Sequence, residues 1–184
     1  MREILRKLKL VEYLTTELNI DKNEFVRNFR EQVDHGDVGF MSGAFDVFSS
    51  SKNEYKGYVG PDYFKIKRRR RFFDTSMNVA LAKGTYEQKE GSLLITTEVN
   101  GFSMMMIPFY LFALFFYLIF LVSFLFSDGW MGNDTVFIVP FMLIHAAFML
   151  GMPYFMMRRS TKRLAYELER EFFYMTKNKP LQGN

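Results

Sequence analysis

The residues that could do chemistry are few, and most of them are cations. Lys65-Ile66-Lys67-Arg68-Arg69-Arg70-Arg71-Phe72-Phe73 places six cations in seven positions, Lys65, Lys67, Arg68, Arg69, Arg70 and Arg71. Such a run suits an anionic partner: acidic lipid headgroups, a nucleotide or an acidic protein surface. Four consecutive arginines on a strand must point to both faces, because successive side chains alternate. A strand end or bulge is therefore expected near Arg69. The bland alternative is a solvated basic strand edge, kept charged against aggregation. Phe72 and Phe73 could stack bases, but one run lacks the Gly-aromatic pattern of an RNA-recognition sheet, so no nucleic-acid partner is expected.

Asp34-His35-Gly36-Asp37 gathers three potential metal ligands. With two His and no Cys in the chain, no complete ligand set follows, and no metal is expected. The four residues read instead as a helix stop, with Gly36 in the left-handed conformation. His145 sits inside an apolar run, where an ionisable residue suggests function by default. Depth counting sets it near Phe115, with Tyr117 about 3 Å deeper at helical rise, so a Tyr117–His145 hydrogen bond is the structural reading and a proton relay or a contact with a partner's span the functional one. Ala147 and Gly151 form a small-xxx-small pattern suited to close helix packing. No phosphate loop, dinucleotide fingerprint, nucleophile elbow or paired carboxylates occur. Hence neither an enzyme, nor a cofactor, nor a small-molecule substrate is expected.

The elements that must position these residues fall into two unlike halves. The mean hydropathy of the 184 residues is −0.06, the value of an ordinary soluble protein. Yet 49% of the chain is apolar while 24% is charged. Residues 103–126 contain no charge, and 135–157 contain only His145 as an ionisable side chain of acid–base interest near neutrality. A helix over the first run would be about 36 Å long, enough for a bilayer core of about 30 Å. The two runs are expected to form a transmembrane hairpin. Trp130, in the intervening loop, is placed as an interfacial anchor. That loop has two acids and no Lys or Arg, whereas Arg158, Arg159, Lys162 and Arg163 follow the second run. The positive-inside rule then puts both termini in the cytoplasm of a plasma (inner) membrane protein. The first ten residues intersperse charge with apolar side chains, so no signal peptide is read there.

In the N-terminal segment, 1–36, two helices are expected. Ile4, Leu5, Leu8, Val11, Leu14 and Leu18 recur at helical spacing. The second helix, 21–33, has Asp21 as cap, Glu24 completing a capping box, and an Ile20–Phe25 staple. Phe25, Val26, Phe29 and Val33 form its apolar stripe. Through 37–100 the period shifts to two, with strands at 44–49, 53–59, 63–73, 77–83 and 92–99. Gly60-Pro61-Asp62 and Lys89-Glu90-Gly91 are turns. In Phe64-Lys65-Ile66-Lys67 apolar and charged residues alternate, a strand wet on one face; Leu93, Ile95, Thr97 and Val99 share a face. A small antiparallel meander buries little area alone, so helix 21–33 should cover its apolar side. After the hairpin, 101–157, the segment 158–184 reads as a helix, with Leu164, Leu168 and Phe172 repeating every four residues and Phe173 and Met175 beside them.

The run Tyr55-Lys-Gly57-Tyr-Val59, Phe64-Lys-Ile66, Arg70-Arg-Phe72, Gly84 and Gly91-Ser-Leu-Leu-Ile95, followed by two apolar runs, resembles small uncharacterised bacterial membrane proteins with a β-rich cytosolic domain. The resemblance spans about residues 55–157 and brings no catalytic residue with it. The fold expected is thus an α+β membrane protein: N-terminal helices, a small antiparallel sheet, a transmembrane hairpin and a C-terminal cytosolic helix. The expected function is a non-enzymatic membrane-anchored accessory or scaffold protein. Membrane lipids and either a second copy or a larger membrane protein are its expected partners. An anionic-lipid sensor acting through 65–71 and a small transport or channel subunit acting through His145 are the alternatives.

Overall fold

A computed structural model describes residues 2–39, 42, 46, 49, 51–69, 78–126 and 135–177. In chain order its elements are α1 (Arg2–Lys7), β1 (Val11–Leu18), α2 (Lys22–Glu31), β2 (Val33–His35), β3 (Tyr55–Val59), β4 (Tyr63–Arg68), β5 (Leu81–Lys89), β6 (Ser92–Asn100), α3 (Met106–Phe126) and α4 (Thr135–Lys177). They divide into two compact units, one within Met1–Phe102 and Met157–Asn184, the other within Ser103–Met156.

The first unit is α+β. Its six strands lie in the order β1-β6-β5-β4-β3-β2. All neighbours are antiparallel except β2 and β3, which run parallel, so the sheet is mixed rather than a plain meander. The difference begins at the N-terminus. Only Arg2–Lys7 is helical, and the helix expected to continue through Leu18 is instead strand β1. Leu14 and Leu18 are four apart, a spacing that puts two residues on one face of a helix and also on one face of a strand. β-Branched Val11, Thr15 and Thr16 and the aromatic Tyr13 favour the strand. Lys9 takes a positive φ of 55° and breaks the chain direction between the two elements.

Local signals serve α2 well. The Asp21 carboxylate accepts hydrogen bonds from the backbone N–H groups of Asn23 and Glu24. Ile20 and Phe25 are both buried beside the cap. The helix ends at Glu31, however, and Val33-Asp34-His35 enters the sheet as β2. Gly36 is not among the positive-φ residues, so the expected left-handed helix stop at this glycine is replaced by a strand end. Of the strand expected at 44–49, most lies outside the described residues, and Asp46 and Ser49 are not in a strand. β4 ends at Arg68, short of the expected Phe73, and β5 runs Leu81–Lys89 rather than 77–83. Gly60-Pro61-Asp62 does turn the chain between β3 and β4, where the Gly60 N–H donates to the Tyr63 carbonyl at 2.9 Å.

One face of the sheet carries the core. Leu93, Ile95, Thr97 and Val99 of β6 are all buried, as their alternation requires, with Ala82, Phe64, Ile66, Val59 and Tyr55 from the next strands. Two helices cover this face. α2 contributes Phe25 and Phe29, and the C-terminal part of α4 contributes Leu164, Ala165, Leu168, Phe172 and Met175. Phe173, grouped with that stripe by sequence, points out and is 57% exposed, one position round the helix from Phe172. The aromatic rings meet mostly edge-on: Phe172 lies 5.4 Å from Phe25 and 5.3 Å from Phe29, centroid to centroid. Edge-on contacts set the positive rim of one ring against the negative face of the next. Gly84 makes room for this cluster. It is paired directly with Phe64, and a Cβ there would collide with the Phe64 ring. Gly57 has a φ of +145°, and a Cβ on it would strike the Lys65 carbonyl. Polar ties hold the α4 segment in place: the Ser160 hydroxyl accepts from the N–H groups of Val79 and Ala80 at 3.1 and 3.0 Å.

The second unit pairs α3 with the first part of α4. Both helices are long and apolar enough to cross a membrane. Their outward side chains are bare: Phe112, Phe115, Leu143 and Ile144 are each more than 60% exposed. Within the pair, the Tyr110 hydroxyl donates to the Leu150 carbonyl at 3.2 Å. Ala113 is buried. With Tyr117 these residues make a seam at spacings of three and four along α3.

Candidate functional site

β4 presents the cationic run to both sides of the sheet, and the two sides treat it differently. Arg68 turns to the helix-covered face. Its Nη1 donates to Glu167 Oε1 at 2.5 Å, and its Nη2 lies 3.6 Å from Glu54 Oε2. Glu167 Oε1 also accepts from Arg163 Nε at 2.9 Å, one turn back on α4. Arg69, just past the strand end, donates from Nη2 to Asp34 Oδ2 at 2.6 Å and also reaches the Ser49 hydroxyl. The Asp34 carboxyl is held below the usual carboxylate range by a hydrogen bond with Ser51, by another from Asn53 and by the Arg69 charge, against the opposing effect of burial. Lys67 is buried at 5% exposure, although alternation marks it as a wet position. Its neighbour in register, Lys56, is buried too, and its Nζ donates to Asp46 Oδ1 at 2.6 Å and to Ser42 at 3.0 Å. Arg70 and Arg71 lie outside the described residues. Lys65 is the cation of the run that stands exposed on the sheet surface.

Lys65 belongs to an open face. At its β3–β4 end this side is covered, since Lys56 and Lys67 are buried there and Lys56 binds Ser42 and Asp46; away from that end its residues form cross-strand rows. One row runs Tyr58, Lys65, Lys83, Glu98, Tyr13 across five strands. The next runs Tyr63, Thr85, Thr96, Thr15. Tyr13, Tyr58 and Tyr63 are 49%, 41% and 52% exposed, and the rings of Tyr58 and Tyr63 lie 5.3 Å apart. Lys65 and Lys83 are directly opposed, an arrangement that costs a sheet some stability. On its other side Lys83 faces Glu98, so the row sets exposed tyrosines beside two lysines and one glutamate. Tyr13 was hidden from sequence reasoning by the helical reading of β1. Lys83, Thr85 and Glu87 alternate with Ala82, Gly84 and Tyr86, a period-two signal that extends β5 to its observed length.

On the covered face, burial pushes the Tyr55 and Tyr86 hydroxyls above their ordinary range. Among the described residues no group of three or more His, Asp and Glu could hold a metal ion.

In the helix pair, Tyr117 Oη lies 2.8 Å from His145 Nδ1. Phe141 stacks on the same imidazole at 6.1 Å. Ala147 is exposed, and a Cβ on Gly151 would meet only Phe155, so within the chain the close approach falls at Ala113. Trp130 lies outside the described residues. Removing the phenol oxygen with Tyr117→Phe is expected to lower the stability of the helix pair by about 1 kcal/mol. A thermal-shift measurement on the detergent-solubilised chain checks this, and an unchanged midpoint would deny the bond a structural role.

Comparison with known proteins finds no family model, no curated protein and no solved structure that matches the chain.

Proposed function

We propose that the protein is a non-enzymatic, membrane-anchored accessory or scaffold protein whose α+β domain docks on a larger membrane protein through the open sheet face. In this reading α3 and the first part of α4 span a plasma membrane as a hairpin. The acidic 127–134 loop lies outside and both termini lie in the cytoplasm. Bare phenylalanine and leucine side chains along both helices support the hairpin, since water would make such surfaces costly and lipid does not. The absence of Lys and Arg from the loop, set against Arg158, Arg159, Lys162 and Arg163 after the second run, supports the orientation.

The observation that carries the docking role is the row of Tyr58, Lys65, Lys83, Glu98 and Tyr13, with its tyrosines and lysines exposed, on a sheet whose other face is packed by two helices. Tyrosine supplies large contact area at low entropic cost, and the two lysines select an acidic surface. Headgroup binding through the whole 65–71 run is less favoured, because Arg68 and Arg69 are held by Glu167 and Asp34.

A photo-crosslinking residue placed at Tyr58 or Tyr63 in the whole chain, in cells, tests the reading. A discrete protein adduct is expected at both positions, lost on Lys65→Glu with Lys83→Glu, and absent from the exposed Arg27 of α2. Adducts with lipid alone would select the headgroup reading, and no adduct would remove the face as a docking surface.

A further inference from the structure

The two edges of the sheet are unlike. β2 is three residues long. β1 is eight, and it keeps eight consecutive register pairs with β6, from Val11–Asn100 to Leu18–Leu93, with no bulge. Its sequence, VEYLTTEL, contains neither proline nor lysine. Proteins usually blunt a long edge with one of those devices, because unpaired peptide groups template further strand pairing.

The phase of the unpaired groups can be read from one bond. The Gly101 N–H donates to the Leu10 carbonyl at 2.9 Å. In an antiparallel ladder, bonded and non-bonded pairs alternate. Glu12, Leu14, Thr16 and Leu18 therefore turn their peptide groups toward β6, and Val11, Tyr13, Thr15 and Glu17 turn theirs outward. Among the described residues β6 is the sole strand beside β1, and no backbone–backbone bond reaches those four residues from outside.

We propose that this edge pairs antiparallel with β1 of a second copy about a two-fold axis at Leu14, joining two sheets into one. The occupant follows from register and charge. For both cores to lie on the same side of the joined sheet, paired residues must share parity. With Leu14 on the axis, Tyr13 opposes Thr15 of the second copy, Glu12 opposes Thr16 and Val11 opposes Glu17. Every glutamate then meets an uncharged side chain, whereas in-register parallel pairing would set Glu12 on Glu12 and Glu17 on Glu17. The outward peptide groups of Val11, Tyr13, Thr15 and Glu17 make about eight hydrogen bonds across the axis. Leu14 packs against the core margin while remaining half-buried. At the axis it meets its own copy in a non-bonded pair, where Cβ atoms approach most closely, and the two cores become continuous. A strand from a different protein would satisfy the peptide groups but has no such symmetry-required leucine contact. The pairing uses the edge and not the open face, so it stands or falls separately from the docking proposed above.

The chain has no cysteine, which makes introduced thiols unambiguous. In the 184-residue chain, in the membranes of expressing cells, Leu14→Cys is expected to give a disulfide-linked homodimer under copper–phenanthroline oxidation. Glu12→Cys and Thr16→Cys alone should stay monomeric, and the double variant should dimerise. Positions four apart on one strand are about 13 Å distant and cannot bridge within a chain. Thr15→Pro removes an outward N–H and leaves the β6 ladder intact, so it should abolish the dimer on size exclusion while preserving the circular dichroism spectrum. Should Leu14→Cys fail to fold, the Glu12→Cys/Thr16→Cys chain carries the test. A monomer there, self-linkage through Thr16→Cys alone, a dimer surviving Thr15→Pro, or a cross-link to a different protein each overturns the proposal.

Discussion

Phe172→Ala is expected to destabilise the α+β unit by about 3–5 kcal/mol, a large share of the roughly 5–15 kcal/mol that holds a domain together. Phe172 is fully buried. Its ring is the hub between α2 and β4, 5.4 Å from Phe25, 5.3 Å from Phe29 and 6.0 Å from Phe64. Truncation leaves a cavity at the centre of this ring cluster, where Phe29 and Phe64 still meet at 5.3 Å, and it loosens α4 from the sheet. Hydrogen-exchange protection of β4, β5 and β6 is the measurement, because it reads this unit apart from the helix pair. The neighbouring Phe173→Ala is the control. That side chain is 57% exposed, and its removal should shift stability by less than about 0.5 kcal/mol. Equal effects from the two variants would mean that α4 is not seated on the sheet by this face.

Glu167→Ala is expected to cost about 3 kcal/mol, through charge rather than volume. Glu167 binds both Arg68, at 2.5 Å, and Arg163, at 2.9 Å, and the Arg68 side chain is only 15% exposed. Without the carboxylate, the Arg68 guanidinium stays in a largely dry site with Glu54 as its remaining acid at 3.6 Å. Adding Arg68→Met to Glu167→Ala should recover much of the loss, since an unpaired buried charge costs more than a neutral side chain of similar length. Urea denaturation of the four members of that cycle supplies the coupling energy. Additive losses would show that the two groups do not depend on one another.

The features that could be read directly from the sequence are those settled within a few residues. Asp21 caps α2 because its carboxylate reaches N–H groups two and three positions on. Phe25 and Phe29 share a face because the helix repeats every 3.6 residues. Leu93 to Val99 alternate inward because a strand repeats every two. The length and apolarity of α3 were equally plain. Where two periods agree, as at Leu14 and Leu18, spacing alone could not choose, and eight residues written as helix became β1. Pairing with β6, 75 to 89 positions away in the chain, decides it. The cationic run shows the same limit. Six charges were visible, but the acid that holds Arg68 is 99 positions distant and the one that holds Arg69 is 35 distant.

Sequence by itself therefore determined the Asp21 cap, the Gly60–Asp62 turn, the alternation of β6 and the two long apolar helices, because each rests on hydrogen bonding, periodicity or solvent preference acting along the chain. Tertiary structure alone decided that β1 lies at the sheet edge beside β6, that Phe172 joins the core while Phe173 does not, and that Arg68 and Arg69 turn to acids within the chain while Lys65 remains on the open face. Those outcomes depend on which surfaces arrive opposite one another, and the side chain that pairs or buries a residue is chosen by the fold rather than by its neighbours in sequence.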